Sequence, residues 1–384
     1  MKYFLYVILA IVILLSMIVI HELGHYVAGK IFKFKINEFS IGFGPQIFSK
    51  TNKKTGEKFS LRMIPLGGYC AFEDENGLDA EEKNAEYVDP DEVFDETKPQ
   101  QVMPPCVDPL NKTEEKPTKS FVEEAPWKRI IVLFAGAFFN FVSAIIFSFI
   151  FILAVGYYVP KVDVLYADDN DAVYCSELRT GDEIIAVDGV RVGVMKSYDE
   201  LMTDKTVGKT YVLTVIRNGE EIEATVQMKR IITTVNEEKQ EYDGLGIQIT
   251  REWRKAGLGY ALRYAVPYTG KLSLLVLQTF GGLITGRIPL NNLSGPLGTI
   301  KAVAEVGMID WRNILYLLPL IASNLAIFNV LPIPALDGSK VVFTLIEWIR
   351  GKPLNRKVEN IIHAVGMILL FGFVIVVDIL GLIV

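Results

Sequence analysis

Residues 3–20 offer one clearly polar side chain, Ser16, and the run then passes without a break into His21-Glu22-Leu23-Gly24-His25. An uncharged run of that length reads as a helix able to cross a bilayer, whose hydrocarbon core takes about 20 apolar residues. Two of the three histidines in the chain lie in this pentapeptide. On a helix, residues four apart share a face, so His21 and His25 can present two imidazole nitrogens to one metal ion. Glu22 stands beside that pair without being a ligand, where a general base can take a proton from a water acidified by the metal. Ionisable groups at the end of such a run are costly, which marks them as functional. The pattern predicts metal-assisted hydrolysis at membrane depth.

Composition agrees with a membrane protein. Of 384 residues 51% are apolar and the mean hydropathy is positive. A net charge of -6 excludes nucleic acid as the main partner, which would need a concentrated basic face. Four stretches are long enough to span: 3–20, 130–159, 314–331 and 361–384. Lys2 ahead of the first run also resembles a signal peptide, but the run is too long for one and no Ala-x-Ala cleavage site follows. Lys30, Lys33, Lys35, Lys50, Lys53, Lys54, Lys58 and Arg62 follow the first span, Lys128 and Arg129 precede the second, and Arg350, Lys352, Arg356 and Lys357 lie between the last two. Positive charge faces the cytoplasm, so the N-terminus, the segment between spans two and three and the C-terminus are expected outside. Cys70 and Cys106 then lie in a reducing compartment and Cys175 is alone outside, so no intramolecular disulfide is expected.

Between the spans the character of the chain changes several times. Residues 39–72 are rich in Gly, Phe, Ile and Leu, and alternation around 59–63 predicts short strands, with a turn signal at Pro65-Leu66-Gly67-Gly68-Tyr69. A strand edge there, beside the metal motif, could hold a peptide in extended form by main-chain hydrogen bonds. Cleavage within a membrane needs this, because a helical peptide bond is buried in its own ladder. Residues 73–96 carry twelve acidic side chains against one lysine, Lys83, and prolines follow, which predicts a flexible cytoplasmic insertion over 73–126. Residues 160–250 read as a soluble β-rich domain with a hairpin turning at Asn218-Gly219 and a short helix near Leu201 and Met202. That pattern resembles a PDZ domain, although the Ala-Gly pair common before the Gly-Asp turn is replaced by Cys175-Ser176-Glu177-Leu178. Residues 256–288 are apolar but carry Arg263, Pro267 and Lys271, which suits a helix on or partly within the outer leaflet.

A catalytic zinc takes three protein ligands and a water, so two histidines leave one position to fill. His363, the remaining histidine, opens the fourth span and is one candidate. Asp337, at the cytoplasmic end of the third span in Asn329-Val330-Leu331-Pro332-Ile333-Pro334-Ala335-Leu336-Asp337-Gly338, is the better placed. The prolines break the helix there, and broken backbone at membrane depth is tolerated where it is buried or lines a polar cavity. Asp337 could also serve only as a cap for the helix that follows.

The pentapeptide, Gly136-Ala137-Phe138-Phe139-Asn140, Ser294-Gly295-Pro296-Leu297-Gly298 and the run from Asn329 to Gly338 together resemble the bacterial site-2 proteases, the family of the sigma-E regulator protease. The resemblance covers nearly the whole chain in the right order. It implies an intramembrane zinc metalloprotease with one catalytic Zn2+ held by His21, His25 and Asp337, and with Glu22 as base. Asn329 would place or polarise the substrate carbonyl. Asn140 and the strand Pro65, Leu66, Gly67, Gly68 and Tyr69 would hold the unwound substrate. The expected fold is a multi-pass α-helical membrane protein of about four transmembrane helices, with a membrane-associated β-rich loop and an inserted extracytoplasmic PDZ domain. Its parts are the first helix with the metal motif (1–38), the strand region (39–72), the acidic insertion (73–126), the second helix (127–159), the PDZ domain (160–250) and a membrane-surface helical region (251–310). The third helix with its Leu-Asp-Gly (311–338) and a cytoplasmic-side helix with the fourth span (339–384) complete it. Expected partners are the bilayer, a peptide ligand of the PDZ domain and single-span membrane proteins such as anti-sigma factors or remnant signal peptides, cut in regulated intramembrane proteolysis at the bacterial plasma membrane. Two rivals are a PDZ-based membrane scaffold without catalysis and another membrane protease of the His-Glu-x-x-His type.

Overall fold

The computed structural model describes residues 2–73, 121–167, 173–235, 238–289 and 293–383, so most of the acidic insertion, Cys106 included, lies outside the described residues. Among the described residues four helices are long and apolar enough to cross a membrane: α1 (Lys2–Ile31), α2 (Pro126–Ala154), α6 (Arg312–Val330), which follows the shorter α5 (Pro296–Ile309), and most of α8 (Arg356–Ile383). The N-terminal part of α1 is apolar all round, and Phe4, Leu5, Ile8 and Val12 are exposed, as suits a helix surrounded by lipid rather than water. The chain divides into two compact units, one of residues 1–6, 141–288 and 302–324, the other of residues 7–140, 289–301 and 325–384.

The first unit contains a β-rich domain. Strands β3 (Tyr157–Leu165), β4 (Glu183–Val187), β5 (Val190–Arg191), β6 (Thr210–Arg217), β7 (Glu220–Gln227) and β10 (Ile247–Arg254) form one antiparallel sheet in the order β10-β3-β4-β6-β7, with β5 on β4. Alternation sets its face: Tyr211, Leu213 and Val215 of β6 and Ala224 and Val226 of β7 are buried, together with Val162, Leu178 and Ile184. The β6–β7 hairpin turns at Asn218 (φ 53°) and Gly219 (φ 88°), the two positive angles that a tight type I′ turn requires. Helix α3 (Tyr198–Leu201) is a single turn whose N-cap Ser197 accepts a bond from the Glu200 N–H. Strands β8 (Lys229–Val235) and β9 (Glu238–Gly244) make a separate hairpin that sequence reading did not anticipate.

One feature of this unit differs from expectation. The second apolar helix stops at Ala154 instead of running to 159, because Gly156 takes a left-handed φ of 93° and packs against the Arg254 carbonyl. Tyr157 to Val159 then belong to β3 and pair with β10. Helix α4 (Leu258–Ile284) lies lengthwise along the end of α2. Tyr260 stacks on Tyr157, Tyr268 on Phe151, and the buried Thr269 hydroxyl bonds Ser148 Oγ at 2.8 Å and the Ala144 carbonyl. From Ala154 to Ala144 is about 15 Å of helix, so α4 follows α2 well below its end.

In the second unit, β1 (Ile36–Thr51) and β2 (Lys58–Phe72) are long strands folded over one another. Their register sets residues 38–41 between residues 58–61 on one side and 68–71 on the other. Residues 68–72 therefore form a margin of the sheet, with no further strand beyond them among the described residues. Phe34, Ile36, Cys70, Phe72 and Phe121 pack with Ala28, Val132, Leu133 and Ala135, seating the sheet on α1 and α2. Lys30 and Tyr26 of α1 both reach Glu57 in the turn between the strands. Helix α7 (Asp337–Arg350) is tied to its neighbours by a buried ion network in which Glu347 accepts from Arg129 at 2.8 Å and from Arg356 at 2.7 Å.

Candidate metal centre

His21 and His25 lie one turn apart on α1 and are buried, at 9% and 6% exposure. Their Nε2 atoms are 3.2 Å apart, and Asp337 Oδ2 lies 2.9 Å from the first and 3.1 Å from the second. Among the described residues these three form the group of His, Cys, Asp or Glu side chains that could hold a metal ion. A tetrahedral zinc with bonds of about 2.0–2.1 Å spaces its ligand atoms about 3.3 Å apart, close to the triangle observed. Two imidazoles and one carboxylate are also the donor set of a catalytic zinc site that keeps a position for water.

The backbone explains how three lone pairs come so close. Gly24 and Gly136 let α1 and α2 approach until a Cβ on Gly24 would stand 2.4 Å from the Ala135 carbonyl oxygen. A Cβ on Gly136 would stand 2.3 Å from His25 Nε2 and 2.8 Å from His21 Nε2, in the space beside the ligand atoms. The His25 Nδ1–H donates to the Val132 carbonyl at 2.8 Å, which leaves the Nε2 lone pair free for a metal. The Asn140 and Asn329 side-chain amides each come to 3.4 Å from His21 Nδ1, the ring nitrogen that does not face the cluster. Asp337 is the first residue of α7, after a tight turn. Gly338 lies so close to the end of α6 that a Cβ would meet the Val330 and Leu331 carbonyls at 2.3 Å.

Of the residues singled out from sequence, the structure gathers His21, His25, Asp337, Asn140 and Asn329. Glu22 is next to them: a Cβ on Gly68 would lie 3.1 Å from its Cγ, so the sheet margin faces the glutamate. Gly67 packs under the Phe43 ring. Pro65 and Leu66 lie in β2, and their side chains are outside the described residues. Tyr69 is turned to its own sheet, where Arg62 donates to its hydroxyl at 2.6 Å and lies over its ring. In the same network burial works to raise the Glu38 carboxyl, but bonds from Ser60, Arg62 and Tyr69 outweigh it and set the group below its ordinary value. His363 is not at the cluster; its Nδ1 accepts from the Ala335 N–H at 3.3 Å. Sequence reading missed the parts played by Gly136 and the Val132 carbonyl beside the two imidazoles, of which only the close Gly-Ala pair at 136–137 was visible as a signal.

The profile of peptidase family M50 matches residues 9–373, a range that contains every residue of this cluster. The chain belongs to peptidase family M50. A Fusobacterium nucleatum protein with the provisional name zinc metalloprotease FN1322 is 29% identical over 382 residues, covering 97% of this chain and 96% of that one. Zinc metalloprotease RasP is 27% identical over 423 residues in Shouchella clausii, covering 96% of this chain and 97% of that one. The Geobacillus kaustophilus RasP is 28% identical over 422 residues, covering 96% and 95%. As an M50 peptidase the protein is a membrane-embedded protease, and α1, α2, α6 and α8 are helices of the length and composition this needs.

Proposed function

We propose that this protein is a site-2 zinc protease that cleaves single-span membrane proteins within or near the bilayer. The observation that carries the reading is the convergence of His21 Nε2, His25 Nε2 and Asp337 Oδ2 to about 3 Å of one another. These three would hold the ion, which is zinc in the names of the relatives. Bound there, zinc supplies Lewis-acid activation of water and of the scissile carbonyl. Glu22 accepts a proton from the attacking water and returns it to the leaving nitrogen as the peptide bond breaks. Asn140 and Asn329 orient His21, and an amide has further hydrogen-bonding positions, so Asn329 can also meet the substrate carbonyl.

The sheet margin at residues 68–72 supplies the means of unwinding. A substrate segment that adds to it as a strand satisfies its main-chain groups by pairing, and its scissile bond comes beside Glu22. The β-rich domain serves as a PDZ-type filter on the outer side, with the metal cluster towards the cytoplasm, an orientation that rests on the basic residues around Lys30 to Arg62 and Arg350 to Lys357. The substrates are remnants of membrane proteins already trimmed outside the membrane, such as anti-sigma factors or signal peptides. The test is cleavage of a single-span protein by the full chain in lipid, with the cut mapped by mass spectrometry. A cut inside or at the edge of the span, absent in Glu22→Gln, is expected. A cut in a soluble loop would overturn the proposal.

A further inference from the structure

His363 is the one histidine that the metal cluster leaves unused, and it sits against the turn that delivers Asp337. Ile333, Pro334, Ala335 and Leu336 form a β-turn, with the Leu336 N–H donating to the Ile333 carbonyl at 3.0 Å. Proline in the second position and a φ of 85° at Ala335 in the third describe a type II turn. That third position ordinarily takes glycine, because a Cβ is strained at positive φ. A strained residue persists only where its surroundings fix it.

Helix α8 supplies those surroundings. The Ala335 N–H points away from its own turn and donates to His363 Nδ1 at 3.3 Å. Three residues further along the same face, Gly366 is so close that a Cβ would stand 2.3 Å from the Pro334 side chain and 2.8 Å from its carbonyl carbon. Phe343 of α7 meets the His363 ring edge-on at 5.6 Å and fixes its plane. Both central residues of the turn are thus gripped from α8, and Asp337 follows Ala335 by two positions.

We propose that His363 and Gly366 are positioning residues that hold the Pro334–Ala335 turn in its strained form and so place the Asp337 carboxylate against His21 and His25. The inference rests on the reading of Asp337 as a zinc ligand. It makes zinc affinity a property of how α8 seats on the turn, although no side chain of α8 belongs to the ligand set.

The test is zinc stoichiometry and affinity, by competition with a chelating indicator, on the full chain in detergent. Asp337→Asn is measured in parallel, with circular dichroism and unfolding temperature on every sample. His363→Leu and Gly366→Ala are each expected to weaken zinc about 10- to 100-fold, the usual effect of losing an outer-shell partner, with the fold retained. His363→Asn, which keeps an acceptor near the Nδ1 position, should stay within about threefold of wild type. Ala335→Gly in the His363→Leu background should recover part of the loss, because glycine needs no outside support at that φ. If Asp337→Asn loses zinc while His363→Leu and Gly366→Ala bind as tightly as wild type, the inference fails and the ligand reading stands. If His363→Asn is as weak as His363→Leu, the hydrogen bond is not the cause and the inference also fails. If Asp337→Asn keeps full affinity, the ligand reading fails first and takes the inference with it.

Discussion

In the β-rich domain, Leu213 and Val215 of β6 are sealed from solvent among Ile184, Val226 and Leu178, and the sheet holds its shape by filling that volume. At the metal cluster the decisive contacts are made by residues with no side chain: Gly24 on the Ala135 carbonyl, Gly136 beside two imidazoles, Gly338 on the end of α6. A core of the first kind loses stability in proportion to the volume removed and can relax around a change. A cluster of the second kind loses function when a few atoms are added, because its geometry depends on backbones being close. The two regions should therefore answer mutation in opposite ways, one to deletion and the other to insertion.

The largest effect is expected from Gly136→Ala. The added methyl would overlap His25 Nε2, so zinc binding and cleavage should both fall to background. Ala is the better helix former by up to about 1 kcal/mol, so thermal stability should not fall with them. Zinc analysis beside an unfolding curve checks this, and an active, zinc-loaded Gly136→Ala would break the comparison. Leu213→Ala should do the reverse and cost the β-rich domain about 3 kcal/mol while zinc stays bound. Denaturant unfolding followed by Trp253 fluorescence reads the first quantity and metal analysis the second.

The ion pair of the same domain gives a smaller effect with a defined sign. Burial raises the Asp182 carboxyl, but bonds from Arg217 at 2.8 and 2.6 Å and from the Arg179 N–H outweigh it and set it below the usual carboxylate range. A carboxyl lowered by folding adds stability above its unfolded pKa of about 3.9, and that stability is lost as pH falls through the folded value. Asp182→Asn should cost about 2 kcal/mol at neutral pH, and its acid unfolding between about pH 4 and pH 2 should be shallower than that of wild type. The smallest change is expected from Gly68→Ala at the sheet margin, where a methyl would press on the Ser40 carbonyl at 2.8 Å and on Glu22. It should lower kcat/KM about tenfold with zinc unchanged, since a small misplacement of a bound peptide costs rate without touching the ligands.

How much of this was legible in the sequence follows from the range of the forces involved. The His21/His25 pair depends on helical spacing alone and could be read directly, as could the hairpin at Asn218-Gly219, which depends on local φ preference. Asp337 could be read because a proline-broken segment at membrane depth must have a reason. His363 could not be resolved: a histidine at the start of an apolar helix is a ligand or a support according to which way its face turns, and that is set by tertiary contact with Ala335. The alternation at residues 59–63 predicted short strands, whereas β1 and β2 run 16 and 15 residues and fold over one another. Their register is fixed by contacts between residues far apart in the chain, to which periodicity is blind. The buried Arg129–Glu347–Arg356 network was invisible for the same reason: the two arginines read only as cytoplasmic positive charge, and nothing local singled out Glu347 as their partner.

The most direct test of the central claim is to purify wild type, Glu22→Gln and Asp337→Asn, and to measure bound zinc and cleavage of one single-span substrate on the same samples. The account predicts one zinc and cleavage for wild type, one zinc and no cleavage for Glu22→Gln, and neither for Asp337→Asn. A Glu22→Gln protein that still cuts, or an Asp337→Asn protein that keeps its zinc, would contradict it.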